Sequence, residues 1–523
     1  MHFASIGFGL FLVVLLIAYY TVFRRFQWQT LLVGSFVFYA FSGWSNLVYI
    51  SVTIVTTWFA TRRIAHIRER QRRYMADSPG LSRDEKRAYK AAVGKKLKAC
   101  FLMCLLFNLA ILAAAKYLRY AIDSPGAALS IFGGNRLAVT DILLPLGISF
   151  YTFKSLGYLI DVYRGKEHEP NIFRFALFVS FFPELIQGPI SRFGDMRKTL
   201  FSRHSFDSPR FQAGMARMLW GFFKKTVVAD RLFPAMYALV ATPDEHTGIY
   251  VVFTMLFYAV TLYSDFTGGM DIAIGIAKML GVDVKENFNR PFYSKSVAEY
   301  WRRWHITMGT WFKDYLFYPL SASQPMLKLH KLSRRVFGDG FGKRFPIYVS
   351  MMILWFATGV WHGFRMHFVV WGLLNGVVMA VSEELNPLYA RFHKCLPIGD
   401  TRVYRGFMMV RTFCLTCLMR TLDVYANTRL TFRMYATIVT DFNWSGFVGK
   451  WFDGLAASDC VVVVASVAVM VVAGCVRHNR RIEYEGMRPA ARHLVIGALL
   501  LSVVVFGVYG PGYDVRQFVY NQF

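Results

Sequence analysis

Acidic side chains are scarce in this sequence: 32 Asp and Glu stand against 60 Lys and Arg, and charged residues make up only 18% of 523 positions. Soluble domains carry ~25% charged residues, so a string of soluble domains is a poor reading. Cysteine is sparse too. Seven cysteines give no framework, and the C-x-x-C of Cys414 and Cys417 lies in an apolar stretch without a second pair. Structural zinc sites take four ligands at recognisable spacing. H-E-x-x-H is missing, and His362 and His367 are five apart, which puts them on different helix faces. No metal and no bound cofactor are expected. Internal repeats and low-complexity segments are also missing, whereas many transporters are built from paired repeats.

What the chain has is apolar runs. They lie near residues 3–23, 30–60, 99–122, 139–160, 172–190, 213–240, 247–281, 346–385, 404–420, 459–476 and 492–510. The first has no basic region before it and no small-residue cleavage pattern after it, so it reads as a retained span. A helix needs ~20 residues to cross a bilayer core, and the runs predict about eleven transmembrane helices. Their continuity speaks against a barrel, whose strands alternate. The expected fold is all-α: a polytopic membrane protein with added re-entrant or interfacial helices. The expected organisation is a membrane core over 1–385, a connector over 386–403 and a C-terminal bundle with a tail over 404–523.

A net charge of +28 invites a nucleic-acid reading. The distribution argues otherwise. Basic residues collect in short segments between runs, at 62–98, 192–210 and 328–344. Positive charge of this kind marks cytoplasmic loops. It also suits anionic headgroups or an anionic cytoplasmic donor.

Polar residues inside apolar runs are costly and carry the functional candidates. Lys154 and Asp161 are seven apart, on one helix face, and read as a charge pair or as site residues. Asp265 and Asp271 flank Gly268 and Gly269. Paired glycines favour a helix break or a close helix contact. Residues 287–320 hold too many charges to span. Their Trp301, Trp304 and Trp311 with Arg302 and Arg303 suit an interfacial or re-entrant helix.

"GVWHG", residues 359–363, places His362 about 15 residues into an apolar segment. At ~1.5 Å per residue that is past mid-depth. An imidazole in such surroundings favours its neutral form, which accepts a proton. His362 is therefore either a core histidine with its polar atoms satisfied or a general base.

Five segments in order then point to a family: "LPLGISFYTFKSLGYLIDVYRG" (144–165), "FFPELIQGPISR" (181–192), "YSDFTGGMDIAIG" (263–275), "ENFNRPFYSKSVAEYWRRWHITMGTWFKDYLFYPL" (286–320) and "GVWHG". Together they resemble the membrane-bound O-acyltransferase family, in its bacterial polysaccharide-modifying branch. The resemblance covers roughly residues 1–385, with "QFVYNQF" extending it to the end. It implies a ring of helices around thin central ones, with a funnel open to the cytoplasm. It implies that His362 is catalytic and that His305 is the second signature residue. Asp265, Asn289, Arg302 and Trp361 fall in matching segments and take supporting roles. Tyr520 becomes a candidate acyl relay, although Asn521 stands where the branch has an aromatic.

The implied function is O-acyl transfer, an acetyltransferase in the first instance. Acetyl-coenzyme A would be the donor substrate. The acceptor would be an extracytoplasmic polysaccharide hydroxyl, reached with an exported partner protein. The location would be the bacterial cytoplasmic membrane, multi-pass and among lipids. Two alternatives stay open: D-alanyl transfer to teichoic acid from a carrier-protein thioester, and a non-enzymatic transporter or flippase for a lipid-linked sugar.

Overall fold

The computed structural model describes residues 3, 5–123, 145–363, 365–396, 401–425, 427–449, 456–480 and 484–509. Among these, every regular element is a helix. Six are long and apolar enough to cross a membrane: Arg83–Lys116, Ile249–Met279, Gln324–His362, Met366–Glu384, Ala457–Val476 and Pro489–Phe506. Ile6–Val22 is a shorter apolar helix. This is a polytopic membrane protein.

The other runs fold as shorter or broken helices, for local reasons. Run 30–60 divides at Gly43, whose φ of 128° ends one helix, Gln27–Ala40, before the next, Trp44–Asp77. Run 172–190 supplies only Ile172–Ser180, after which Pro183 opens a 3-10 turn over Phe182–Glu184. Run 213–240 holds a π-helical turn at Phe223–Ala229, between Ser208–Phe222 and Asp230–Ala241. Part of run 139–160 lies outside the described residues.

The chain divides into two compact units. The first comprises Met1–Phe211 with Ile276–Val284. In it, Trp44–Asp77 and Arg83–Asp123 form a hairpin. Cys100 and Cys104 place their sulfurs 3.7 Å from the carbonyls of Ala60 and Thr56, and Tyr74 packs on Tyr89 with ring centres 4.3 Å apart. Ser82 and Glu85 exchange side-chain and backbone hydrogen bonds at the start of the second helix, the reciprocal capping that S-x-x-E encodes. Segment 62–98 is thus mostly helix. Lys154 does not pair with Asp161. It reaches Glu184 at 2.6 Å, both side chains being buried, and Glu184 also accepts from the Ser191 hydroxyl. Asp161 pairs instead with Lys166 at 2.9 Å.

The second unit comprises Gln212–Gly275 with Lys285–Phe523. The glycines near Asp265 do not break their helix; they let it approach another. A Cβ at Gly221 would stand 2.5 Å from the Gly268 carbonyl oxygen, and one at Gly275 would stand 2.6 Å from that of Gly214. Side chains larger than hydrogen are excluded there. The π turn lies on the same seam. It brings the adjacent Lys224 and Lys225 onto two carboxylates of one helix, Asp271 and Asp265, each at 2.6 Å. Asp265 and Asp271, six residues apart, diverge about as much around their helix as the two adjacent lysines do around theirs. The C-terminal hairpin, Ala457–Arg480 and Pro489–Phe506, packs Val462, Met470, Leu499 and Val503 on Phe223, Val227 and Val228.

Segment 328–344 is also helical rather than looped, with a kink where Gly338 takes a φ of 73°. Despite their helicity, the basic segments are expected on the cytoplasmic side. Single cysteines placed in 62–98, 192–210 and 328–344 should escape an impermeant thiol reagent added to intact cells. Strong outside labelling of any one would reverse this topology.

Candidate active site

His362 is the last residue of the helix Gln324–His362. Gly363 ends that helix, and the chain turns back into Met366–Glu384. The two helices touch backbone to backbone. A Cβ at Gly359 would stand 2.5 Å from the Phe368 carbonyl oxygen, and one at Gly372 would stand 2.4 Å from that of Trp355. The bare side of W-H-G therefore receives another helix. This contact holds His362 at a helix end, 5% exposed, among aromatic rings. Trp361 lies 4.6 Å from its ring and Trp371 lies 4.9 Å away, both edge to face, with Phe368 stacked at 6.4 Å.

His305 lies in the same unit. It joins two short helices, Val297–Arg303 and Ile306–Phe312. Its backbone is left-handed, with a φ of 46°, which costs an L-residue about 1–2 kcal/mol. Such strain concentrates at functional sites. The side chain is fully buried and meets Phe266 edge to face at 4.8 Å. Asn287 holds its ring through Nδ1. The Asn287 amide oxygen accepts from both the Thr307 backbone N–H and the Thr307 hydroxyl, each at 2.9 Å. The amide nitrogen is left to donate to His305 Nδ1 at 3.1 Å. The amide oxygen lies 3.3 Å from the same Nδ1, so both amide atoms of Asn287 face this side of the ring. Burial, and then the charge of Arg420, hold this imidazole well below its ordinary pKa, so it is neutral. The His305 ring lies 6.4 Å from Trp361. One indole is thus near both imidazoles.

Comparison with known proteins decides what this arrangement belongs to. A model of MBOAT, the membrane-bound O-acyltransferase family, matches residues 159–421. The chain belongs to the membrane-bound O-acyltransferase family. It is similar to a probable alginate O-acetylase, AlgI, of Pseudomonas aeruginosa, at 31% identity over 83% of this chain and 74% of that protein. It is similar to a peptidoglycan O-acetyltransferase of Helicobacter pylori, at 28% identity over 56% and 57% of the two chains. A teichoic acid D-alanyltransferase of Bacillus subtilis matches at 29% identity over 45% of this chain and 58% of that protein.

The remaining candidates of this acyltransferase fall in different places. Trp361 has its ring near both histidines, 4.6 Å from His362 and 6.4 Å from His305. Asp265 is buried in its ion pair with Lys225, which also holds Asp230 at 2.8 Å. Asn289 donates its backbone N–H to the Arg303 carbonyl at 2.9 Å, and it lines a cavity of about 510 Å³. Arg302 is exposed. Tyr520 lies outside the described residues. His367 is buried against Phe368, with ring centres 4.3 Å apart. Cys417 packs with Tyr425 and Met434 in an apolar cluster, whereas Cys414 is exposed. Among the described residues, no group of three or more His, Cys, Asp or Glu side chains is placed to hold a metal ion.

The cavity is built from Lys224, Asp271, Asn287, Arg290 and Gly474, among others. Arg217 bridges Asp271 at 2.8 Å and Glu286 at 2.6 Å along its wall. Asn287 is therefore shared: it lines the cavity and holds His305.

Sequence reading missed three residues. Asn287 orients His305 from an otherwise plain loop. Asn375 accepts from Trp301 Nε1 at 2.9 Å and donates to the Trp371 carbonyl at 2.8 Å. Arg420 is buried beside Trp301, Trp304 and Trp371. One signal was readable for Arg420: an arginine closing an apolar run, with Asp423 three residues on.

Proposed function

We propose that the chain moves an acyl group, acetyl in the first instance, from a cytoplasmic thioester toward hydroxyls of an extracytoplasmic polysaccharide, with His362 as general base. The observation that carries this reading is the arrangement of the two imidazoles about Trp361: His362 at a helix end, ring to ring with Trp361, and His305 near the same indole. In direct transfer the acceptor oxygen attacks the thioester carbonyl carbon while His362 takes its proton. The C–S bond breaks, and the leaving thiolate recovers that proton from the imidazolium. With Nδ1 accepting from the Asn287 amide nitrogen and the proton on Nε2, His305 suits the oxyanion of the tetrahedral intermediate. Acetyl-coenzyme A fits as donor because its phosphates suit Arg290 in the cavity wall and the positive charge of segment 328–344. The names of the alginate and peptidoglycan relatives support a polysaccharide acceptor. An exported partner protein would complete delivery. D-alanyl transfer from a carrier-protein thioester is the second reading, supported by the Bacillus subtilis relative over a smaller share of the chain.

The Asn287 amide gives this reading a sharp test. Asn287→Asp replaces the donor facing His305 Nδ1 by an acceptor. The imidazole proton moves to Nδ1, and Nε2 stops donating. Removing one oxyanion donor costs about 10²–10³ in turnover. Purified Asn287→Asp should lose that much kcat and stay folded. Full turnover in this variant would refute the oxyanion role of His305.

A relay through Tyr520 would split the transfer into two easier steps. His362 would deprotonate the phenol, and an acyl-tyrosine would hand on to the partner. Tyr520→Phe keeps the ring and removes the hydroxyl. A relay predicts almost no transfer and, in the wild type, an acetylated C-terminal peptide by mass spectrometry. An active Tyr520→Phe with no trapped peptide leaves direct transfer.

A further inference from the structure

One buried guanidinium ties the two histidine-bearing elements together. Arg420 is the last residue of the helix Arg402–Arg420. Its guanidinium carbon lies 4.8 Å from the ring centre of Trp371, 5.2 Å from that of Trp304 and 5.3 Å from that of Trp301. Trp371 is the indole against His362. Trp304 directly precedes His305 in sequence and is itself buried, stacked on Tyr300 at 5.5 Å. Trp301 meets Trp371 at 5.7 Å and is held by Asn375. Asp423 supplies the counter-ion, its carboxylate 3.1 Å from Arg420 Nη1.

A buried cation at this density of aromatic rings is a specific construction. A planar guanidinium can lie on several ring faces at once while one nitrogen keeps a carboxylate. Lysine has a compact ammonium and cannot do both equally. A fully apolar residue would spare the cost of burying a charge, so packing alone does not call for arginine here.

We propose that Arg420 is a positioning residue for acyl transfer: by clamping Trp371 and Trp304 together, it sets the relative placement of His362 and His305. The proposal rests on the acyl-transfer reading of the two histidines. Arg420 acts through the tryptophans, and its charge also disfavours protonation of His305. Removing it leaves both imidazoles present but lets the two elements drift. Misplacement of reacting groups by about 1 Å costs about 10²-fold in rate. The loss should fall on kcat and spare the donor KM, because uniform binding is untouched.

The test compares Arg420→Met and Arg420→Lys with the wild type, as full-length protein in detergent. Two readouts are taken: steady-state transfer from acetyl-coenzyme A, and NMR of protein labelled with ¹³C on histidine, with the His362 signal assigned from His362→Gln. A displaced Trp371 changes the ring current on His362, so the His362 resonance should move in Arg420→Met. Its kcat should fall by about 10²-fold with KM unchanged. Arg420→Lys should fall between the two. If Arg420→Met does not fold, Arg420→Lys carries the test alone, with a lowered kcat and a moved resonance expected. Wild-type kcat in a folded Arg420→Met or Arg420→Lys overturns the proposal, and so does a lost kcat with an unmoved His362 resonance. A moved resonance in a protein whose wild type transfers no acyl group supports the clamp and rejects the acyl-transfer reading instead.

Discussion

His362→Ala should insert and fold as the wild type does while its acyl transfer falls by about 10²–10⁴-fold, the usual worth of a general base. The residue closes a helix whose backbone contact with Met366–Glu384 is made by Gly359 and Gly372, with the imidazole adding ring contacts to Trp371 and Phe368. The helix pair should therefore survive. Loss of the ring does leave space beside Trp371 and Phe368, so His362→Gln is the companion variant, of similar size and without a basic nitrogen. Both should run as the wild type on gel filtration, and both should leave the polymer of producing cells unacylated. A folded variant with near-wild-type transfer would remove His362 from the chemistry.

Glu184→Ala should destabilise the protein by about 3–5 kcal/mol, the cost of leaving a buried ionic partner unpaired. Lys154 is 3% exposed and Glu184 is 1% exposed, and their 2.6 Å contact has only the Ser191 hydroxyl beside it on the carboxylate. Removing the carboxylate strands an ammonium in an apolar interior. Replacing both partners, as in Lys154→Met with Glu184→Leu, removes the charge as well and should recover most of the loss. Thermal unfolding in one detergent measures all three. A single variant as stable as the wild type would show that water reaches this pair.

The membrane class and the family were legible because both are written in local features. Continuous apolar runs need no partner to be recognised, and the five signature segments are contiguous words. The course of the helices was less legible, because it depends on single residues in context. Pro183 and Gly43 cut runs that are apolar on both sides of them. The pairing of charges was not legible at all. Lys154 shares a helix face with Asp161, yet its partner stands 30 residues on, brought there by the turn after Ser180. Asp265 and Asp271 meet Lys225 and Lys224 across a glycine-lined helix contact, and the lysines lie in a π turn, which no sequence period announces. At the site, His362 stood out as a polar residue among aromatics, and His305 through the family resemblance. Asn287 did not, because an asparagine in a loop is ordinary until Thr307 fixes its amide.

The most direct test of the account is a single-turnover measurement of thiol release. Purified protein in lipid nanodiscs is mixed with acetyl-coenzyme A and a short oligosaccharide acceptor, and free thiol and acylated sugar are followed together. The account predicts that the wild type releases thiol in an amount equal to the acyl group moved, onto the sugar in direct transfer or onto the protein in a relay, and that His362→Gln, equally folded, does neither above background. Thiol release and sugar acylation at wild-type rates by His362→Gln would contradict it.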